Sequence, residues 1–188
     1  MPAVFLDRDG TINDDVGYVS TPLRVRVLPG VAEAIKRVND AKIPVIVVTN
    51  QSGVGRGFFT EEHVREVNDA IGRILKEEGA HIDAWYYCPQ WSDDVSRTCD
   101  CRKPQPGMLR QAAVDHGIDL AMSVMIGDKR SDMEVGEVVG AHTVLVLTGN
   151  GRETLEHWSS KTQPTYVANG LPEAIEWFLE LKKRGSKA

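Results

Sequence analysis

Five short apolar runs punctuate the chain, at residues 4–6, 44–48, 85–87, 124–126 and 143–147. They are continuous rather than alternating and most are rich in β-branched residues, as strands buried on both faces are. Between them the apolar positions fall at helical spacing. Val31, Ala34, Ile35 and Val38 form one such stripe, and Val64, Val67, Ile71, Ile74 and Leu75 another behind Thr60 as N-cap. Pro106 opens a third helix that Gly117 ends, Ser131 or Asp132 starts a fourth through Val139, and a last one runs from Pro172 to about Lys183. Strands alternating with helices predict an α/β fold: a Rossmann-like three-layer sandwich on a mainly parallel sheet, in one domain over residues 1–188. The segment 13–29 reads as a loop or small flap, and the tail 185–188 is expected to fray.

The polar residues that stop these runs change the picture. In an open parallel sheet, ligands bind beyond the carboxyl ends of the strands. The first run ends in Asp7-Arg8-Asp9-Gly10, the second in Thr49-Asn50-Gln51-Ser52-Gly53, and the fourth in Gly127-Asp128-Lys129-Arg130. A turn needs at most one carboxylate, and Asp-Gly alone is ordinary turn chemistry. Three carboxylates, Asp7, Asp9 and Asp128, converging on one edge repel one another unless a cation sits among them. Oxygen ligands select a hard divalent ion, and Mg²⁺ suits a site with few carboxylates. Arg102-Lys103 and Lys129-Arg130 join the same edge, and Thr49 with its neighbours adds hydroxyl and N–H donors. Together they point to an anionic substrate, best a phosphate. The glycine-rich Gly53–Gly57 is not a nucleotide-binding fingerprint and reads as a flexible substrate-side loop.

The net charge of −5 gives no basis for a phosphate-backbone surface, so no nucleic-acid partner is expected, and no run reaches membrane-spanning length. The chain opens directly on a strand-like run without a basic leader, so a cytoplasmic location is expected, and a single domain without an obvious interface patch suggests a monomer. Cys88, Cys99 and Cys101 cluster as C-x10-C-x-C, a spacing that suggests zinc before a disulfide in an intracellular chain.

Four stretches in order, "FLDRDGT", "TNQSG", Lys103 in "CDCRKP" and "GDKRSD", resemble the four motifs of the haloacid dehalogenase superfamily. Within it, "TNQSGVGRG", "CDCRKPQPGM" and the lack of a large cap insertion are similar to the heptose bisphosphate phosphatase branch. The histidinol-phosphate phosphatases are the nearest alternative, and a non-catalytic sugar-phosphate-binding module is the alternative of another class. The resemblance implies a Mg²⁺-dependent phosphatase acting on a small sugar bisphosphate. It makes Asp7 the nucleophile, and Asp9 the general acid and then base, binding the metal through its backbone carbonyl. Asp128 completes the Mg²⁺ site, and Thr49 and Lys103 stabilise the transferring phosphoryl group. Arg102 reads the far phosphate, and Lys129, Asn50, Gln51, Ser52 and the flap residues Asp15, Val16, Gly17 and Tyr18 line the substrate. For Asp132 two roles stay open, capping a helix or orienting Lys129.

The related phosphatases carry structural zinc on C-x-H followed by C-x-C, and here Gln90 stands at the His position. A zinc on Cys88, Cys99 and Cys101 remains the expectation, its fourth ligand open between Asp93, Asp94 and water. Weak binding, or a metal-free loop packed by Trp91, are the other outcomes.

Overall fold

The computed structural model of the chain describes residues 1–91, 99–159 and 163–185. Six strands form one sheet: β1 (Val4–Leu6), β2 (Val45–Asn50), β3 (Ala84–Cys88), β4 (Val124–Gly127), β5 (His142–Val146) and β6 (Tyr166–Ala168). All pair in parallel, in the order β3-β2-β1-β4-β5-β6. Among the described residues seven α-helices connect and cover them: α1 (Val31–Asp40), α2 (Ser52–Gly55), α3 (Glu61–Glu77), α4 (Gly107–His116), α5 (Arg130–Val138), α6 (Gly151–Glu156) and α7 (Leu171–Gly185). Residues 186–188 of the expected frayed tail lie outside the described residues.

Side chains on a strand alternate between faces, and both faces here are closed to water. Val4, Leu6, Val45, Val47, Val124 and Ile126 pack with α1, α3 and α7 on one side, while Phe5, Ile46, Val48 and Met125 pack with α4 and Val135 of α5 on the other. Continuous apolar runs follow from this two-sided burial. β6 escapes the pattern because it is three residues at a sheet edge, two of them half-buried.

The chain builds outward from β1 to β3, then returns to place β4 on the free side of β1. This is the switch point at which open α/β sheets bind ligands. Register brings Leu6 beside Val47 and Ile126, and the Asp7 N–H donates to the Ile126 carbonyl at 2.9 Å. Residues just beyond β1 and β4 therefore emerge side by side.

One loop differs from the sequence reading. Gly53–Gly57 is not an open flexible loop: Ser52–Gly55 makes a helical turn, and buried Gly53 has no Cβ because the rings of Phe59 and Tyr18 occupy that space. The flap at 13–29 is pinned at its base, where the Asp14 N–H donates to Arg26 O and the Leu28 N–H to Ile12 O, both at 2.9 Å. Among the described residues no helix is long and apolar enough to cross a membrane.

Candidate active site

The turn after β1 is wound on one carbonyl. Arg8 O accepts from the Ile12 N–H at 2.8 Å and more loosely from those of Thr11 and Asn13. Gly10 follows at φ +85°, and any Cβ there would run into the Asp128 carboxylate. Gly149, at φ +53°, packs against Gly10, and a Cβ there would meet the same carboxylate oxygen. Two glycines thus keep clear the space around Asp128.

Asp7, Asp128 and Asp132 bring carboxylate oxygens within 4.8 Å of one another, all buried. The two oxygens of Asp132 are committed. One pairs with Lys103 Nζ at 2.6 Å, and the other accepts the Lys129 N–H at 3.0 Å and caps α5. Asp132 therefore caps the helix, and it orients Lys103 rather than the Lys129 ammonium. Lys103 Nζ also lies 3.0 Å from Asp7 and donates to the Val48 carbonyl at 2.7 Å. In Asp128 one oxygen accepts the Asn150 N–H at 2.8 Å, whereas its buried Oδ1 has no hydrogen-bond partner and the Lys129 ammonium stands 3.8 Å away. A buried carboxylate oxygen without a donor is expensive. A hard cation between Asp7 and Asp128 would satisfy it, so the donor set fits Mg²⁺.

The electrostatics agree. Burial raises the Asp7 pKa, but the charges of Lys103 and Lys129 and the Lys103 hydrogen bond outweigh it, so the net shift is downward. Burial and the Asp7 charge push Asp128 up to about 7, against the pull of Lys129. Burial works against the charged forms of both lysines, yet the surrounding aspartates raise Lys103 and Lys129. One carboxylate is thus held ionised by two lysines, while its neighbour has only the more distant Lys129 ammonium, which does not offset burial and the Asp7 charge.

Asp9 points elsewhere. Its carboxylate is outside the three-aspartate cluster and accepts from Arg8, from Asn13 Nδ2 at 2.9 Å and from Gln51 Nε2 at 2.9 Å. Gln51 shares the same amide with Thr49 Oγ1 at 3.0 Å. Asp7, Asp9, Thr49 and Lys103 border one small cavity, which continues into a cleft of about 400 Å³ lined by Asp15, Gly17, Tyr18, Asn50, Gln51, Ser52, Arg102 and Lys129 among others.

Most residues singled out in the sequence therefore meet at one edge. Val16 does not line the cleft: it faces solvent and offers only its carbonyl to Arg24. Arg130 is also drawn away, because one helical turn places it against Glu134 at 3.0 Å. Asn50 spans the Lys103 backbone, donating to its carbonyl and accepting its N–H, both at 3.0 Å. Asn150 and Ser131 were not singled out. Asn150 sits in a plain turn after β5, where it bonds Asp128 and, at 3.0 Å, Asp15 of the flap.

The cysteines gather beside this edge. Cys88 closes β3, and its buried sulfur lies 2.8 Å from that of Cys101 and 3.3 Å from that of Cys99; Cys99 and Cys101 form a disulfide, where the sequence spacing predicts zinc on three thiolates. Burial pushes the Cys88 thiol up, against the Gln90 N–H and the Arg102 charge. Among the described residues no fourth His, Cys, Asp or Glu joins the three sulfurs, and Gln90 is exposed. Asp93 and Asp94 lie outside the described residues. Arg102 next to the cluster donates to Gln90 O at 3.1 Å.

Residues 100–174 match a family model described as HAD-hydrolase-like. The D-glycero-D-manno-heptose-1,7-bisphosphate 7-phosphatase of Thermosynechococcus vestitus is 40% identical over 94% of this chain and 94% of its own. The D-glycero-beta-D-manno-heptose-1,7-bisphosphate 7-phosphatase of Pasteurella multocida is 41% identical over 96% of this chain and 98% of its own. Among solved structures, the D,D-heptose 1,7-bisphosphate phosphatase of B. bronchiseptica, complexed with magnesium and phosphate, superposes with a TM-score of 0.88 at 37% identity, covering 96% of this chain and 99% of that one.

Proposed function

The chain belongs to the heptose-1,7-bisphosphate 7-phosphatases among the HAD-like hydrolases, and on that premise we propose that it removes the 7-phosphate of D-glycero-D-manno-heptose 1,7-bisphosphate through an aspartyl-phosphate on Asp7, with Mg²⁺ as cofactor. It is a phosphoric monoester hydrolase. The observation that carries the reading is the pairing of Asp7, 3.0 Å from buried Lys103, with an Asp128 Oδ1 that accepts no hydrogen bond among the described residues, at the switch point.

An Asp7 carboxylate oxygen attacks phosphorus, and the bond from phosphorus to the sugar oxygen breaks. Asp9 gives its proton to the departing alkoxide. Asp9 then takes a proton from water, whose oxygen attacks the phosphorus of the acyl phosphate, and the bond to Asp7 breaks to free inorganic phosphate. Lys103 and Thr49 face the charge that develops on the phosphoryl oxygens. Asp7, Asp128 and the Asp9 backbone carbonyl would hold Mg²⁺, which when bound neutralises phosphate charge and fixes Asp7. Arg102 and Lys129 in the cleft favour a substrate with a second phosphate over histidinol phosphate, which carries a cation there. Asp15, Gly17, Tyr18, Asn50, Gln51 and Ser52 form the rest of the sugar-phosphate wall. Cys88, Cys99 and Cys101 support a structural zinc in the reduced protein, holding the segment that presents Arg102 and Lys103.

Phosphate release from both anomers of the bisphosphate, with Mg²⁺ and with EDTA, tests the proposal. Rapid Mg²⁺-dependent loss of the 7-phosphate alone is expected. Faster turnover of histidinol phosphate would reject the substrate assignment.

A further inference from the structure

Arg8, between the two aspartates of the turn, is fully closed to solvent and heads the largest completely buried side chains among the described residues. A buried guanidinium is costly unless acceptors meet its N–H groups. Here Nε donates to Asp9 Oδ1 at 3.1 Å, Nη2 to Asp9 Oδ2 at 2.8 Å, and Nη1 to Asn68 Oδ1 of α3 at 3.1 Å. A two-pronged grip fixes the plane of a carboxylate as well as its place.

A role in stability alone explains this poorly. The pair joins neighbours in sequence, so it closes no loop. Apolar side chains of similar volume commonly replace buried ion pairs without loss of stability. What the arrangement does supply is aim. With Asn13 and Gln51, each Asp9 oxygen accepts two N–H donors, while Asp9 still borders both the small cavity and the cleft. Through Asn68, that aim is referred to a helix packed on the sheet rather than to the turn.

We infer that Arg8 is a positioning residue for the proton-transferring carboxylate, with Asn68 as its anchor; this rests on the acid–base role given to Asp9 above. Losing the aim slows the steps in which Asp9 moves a proton: expulsion of the sugar alkoxide and attack of water on phosphorylated Asp7. It does not slow attack of Asp7 on an aryl phosphate whose phenolate leaves without a proton.

Arg8→Lys keeps a cation and removes the fork. With heptose bisphosphate and Mg²⁺, kcat is expected to fall about 10- to 100-fold, with KM changed less than about threefold. With 4-nitrophenyl phosphate in rapid mixing, a nitrophenolate burst at the wild-type rate should precede slow turnover. A kcat within about twofold of wild type, or equal slowing of burst and turnover, overturns the inference. If Arg8→Lys does not fold, Asn68→Leu decides: the same split at smaller amplitude supports the inference, and no split overturns it. Asp9→Asn separates the two layers. Should it slow burst and turnover alike, the acid–base assignment fails and the inference with it. Should it show the split while the Arg8 variant does not, only the role of Arg8 falls.

Discussion

Lys103 and its neighbours are held from two sides by opposite means. Toward β1 and β4 the grip is ionic and buried: Lys103 Nζ meets Asp7 at 3.0 Å, Asp132 at 2.6 Å and the Val48 carbonyl at 2.7 Å. Toward β3 it is a knot of three sulfurs, beside an Arg102 whose recorded hydrogen bond goes to a backbone carbonyl. The ionic side buries its carboxylates and crowds them, and burial first, then the Asp7 charge, pushes Asp128 up to about 7. The sulfur side packs soft, weakly polar atoms at little cost. The first region concentrates buried charge at the reacting edge, and the second gathers polarisable sulfur beside it. Changes in the first should therefore cost activity without costing stability, and changes in the second should shift position alone.

Asp7→Asn is the strongest way to break that contrast. It removes the nucleophile, so turnover should drop by more than about 10³-fold. Lys103 keeps Asp132 and Val48 O as partners, and Asp128 loses the neighbouring charge that raises it. The melting temperature without metal should then equal or exceed that of the wild type. Residual activity within about tenfold would remove Asp7 from its role. A large fall in melting temperature would show that the ionic side is a stability device after all.

The next effect is in pH and metal. Asp128 is raised from the ordinary carboxylate range to about 7. A raised acid favours the fold when protonated, so this contribution is full below about pH 4 and is lost as pH climbs through about 7. Metal-free protein should lose melting temperature across that window, and Mg²⁺ should restore it at the upper end. Because Mg²⁺ needs the ionised carboxylate, its affinity should weaken by up to about tenfold per pH unit below about 7 and level off above. Titration calorimetry in buffers of different ionisation heat reads the released proton. A flat affinity between about pH 5.5 and 8 would mean that Asp128 carries no such shift.

What could be read without coordinates follows the same division. The aspartates after β1 and β4 are legible because each ends a strand-like run, and a parallel sheet sends all such ends to one edge. That they are neighbours depends on strand order, which periodicity does not encode. Asn150 is silent in sequence for that reason: its turn is ordinary, and only the placement of β5 beside β4 brings it to Asp128. Arg8 is silent too, since nothing in a charged residue ending an apolar run marks it for burial, yet it is buried on Asp9 and Asn68. Arg130 reads as one of a basic pair until the first turn of α5 places it on Glu134. Gly53–Gly57 reads as flexible because glycines usually mean freedom, whereas at Gly53 the missing Cβ makes room for two aromatic rings.

The smallest effect belongs to the sulfur side, and it sharpens the contrast most. Cys101→Ala removes one of three clustered sulfurs next to Arg102. Lys103 stays fixed at its ammonium by Asp7 and Asp132, and at its backbone by both ends of the Asn50 amide at 3.0 Å. Arg102 lacks such a side-chain clamp among the described residues: its guanidinium donates to Gln90 O, and its backbone N–H reaches Cys99 O loosely at 3.4 Å while its carbonyl accepts from Gln105. The bisphosphate KM should therefore rise by about 2- to 10-fold while kcat changes by less than about threefold. Protein purified under reducing conditions should carry about one zinc per chain, and the variant should lose it. Zinc far below that level in the unaltered protein would leave the knot to the sulfurs alone. Pairing Cys101→Ala with Asn50→Ala removes the backbone clamp as well, and the combined loss in kcat should exceed the product of the single losses, since both act on one segment. If Cys101→Ala alone lowers kcat as far as Asp7→Asn does, the sulfurs take part in the chemistry and the two sides are not distinct.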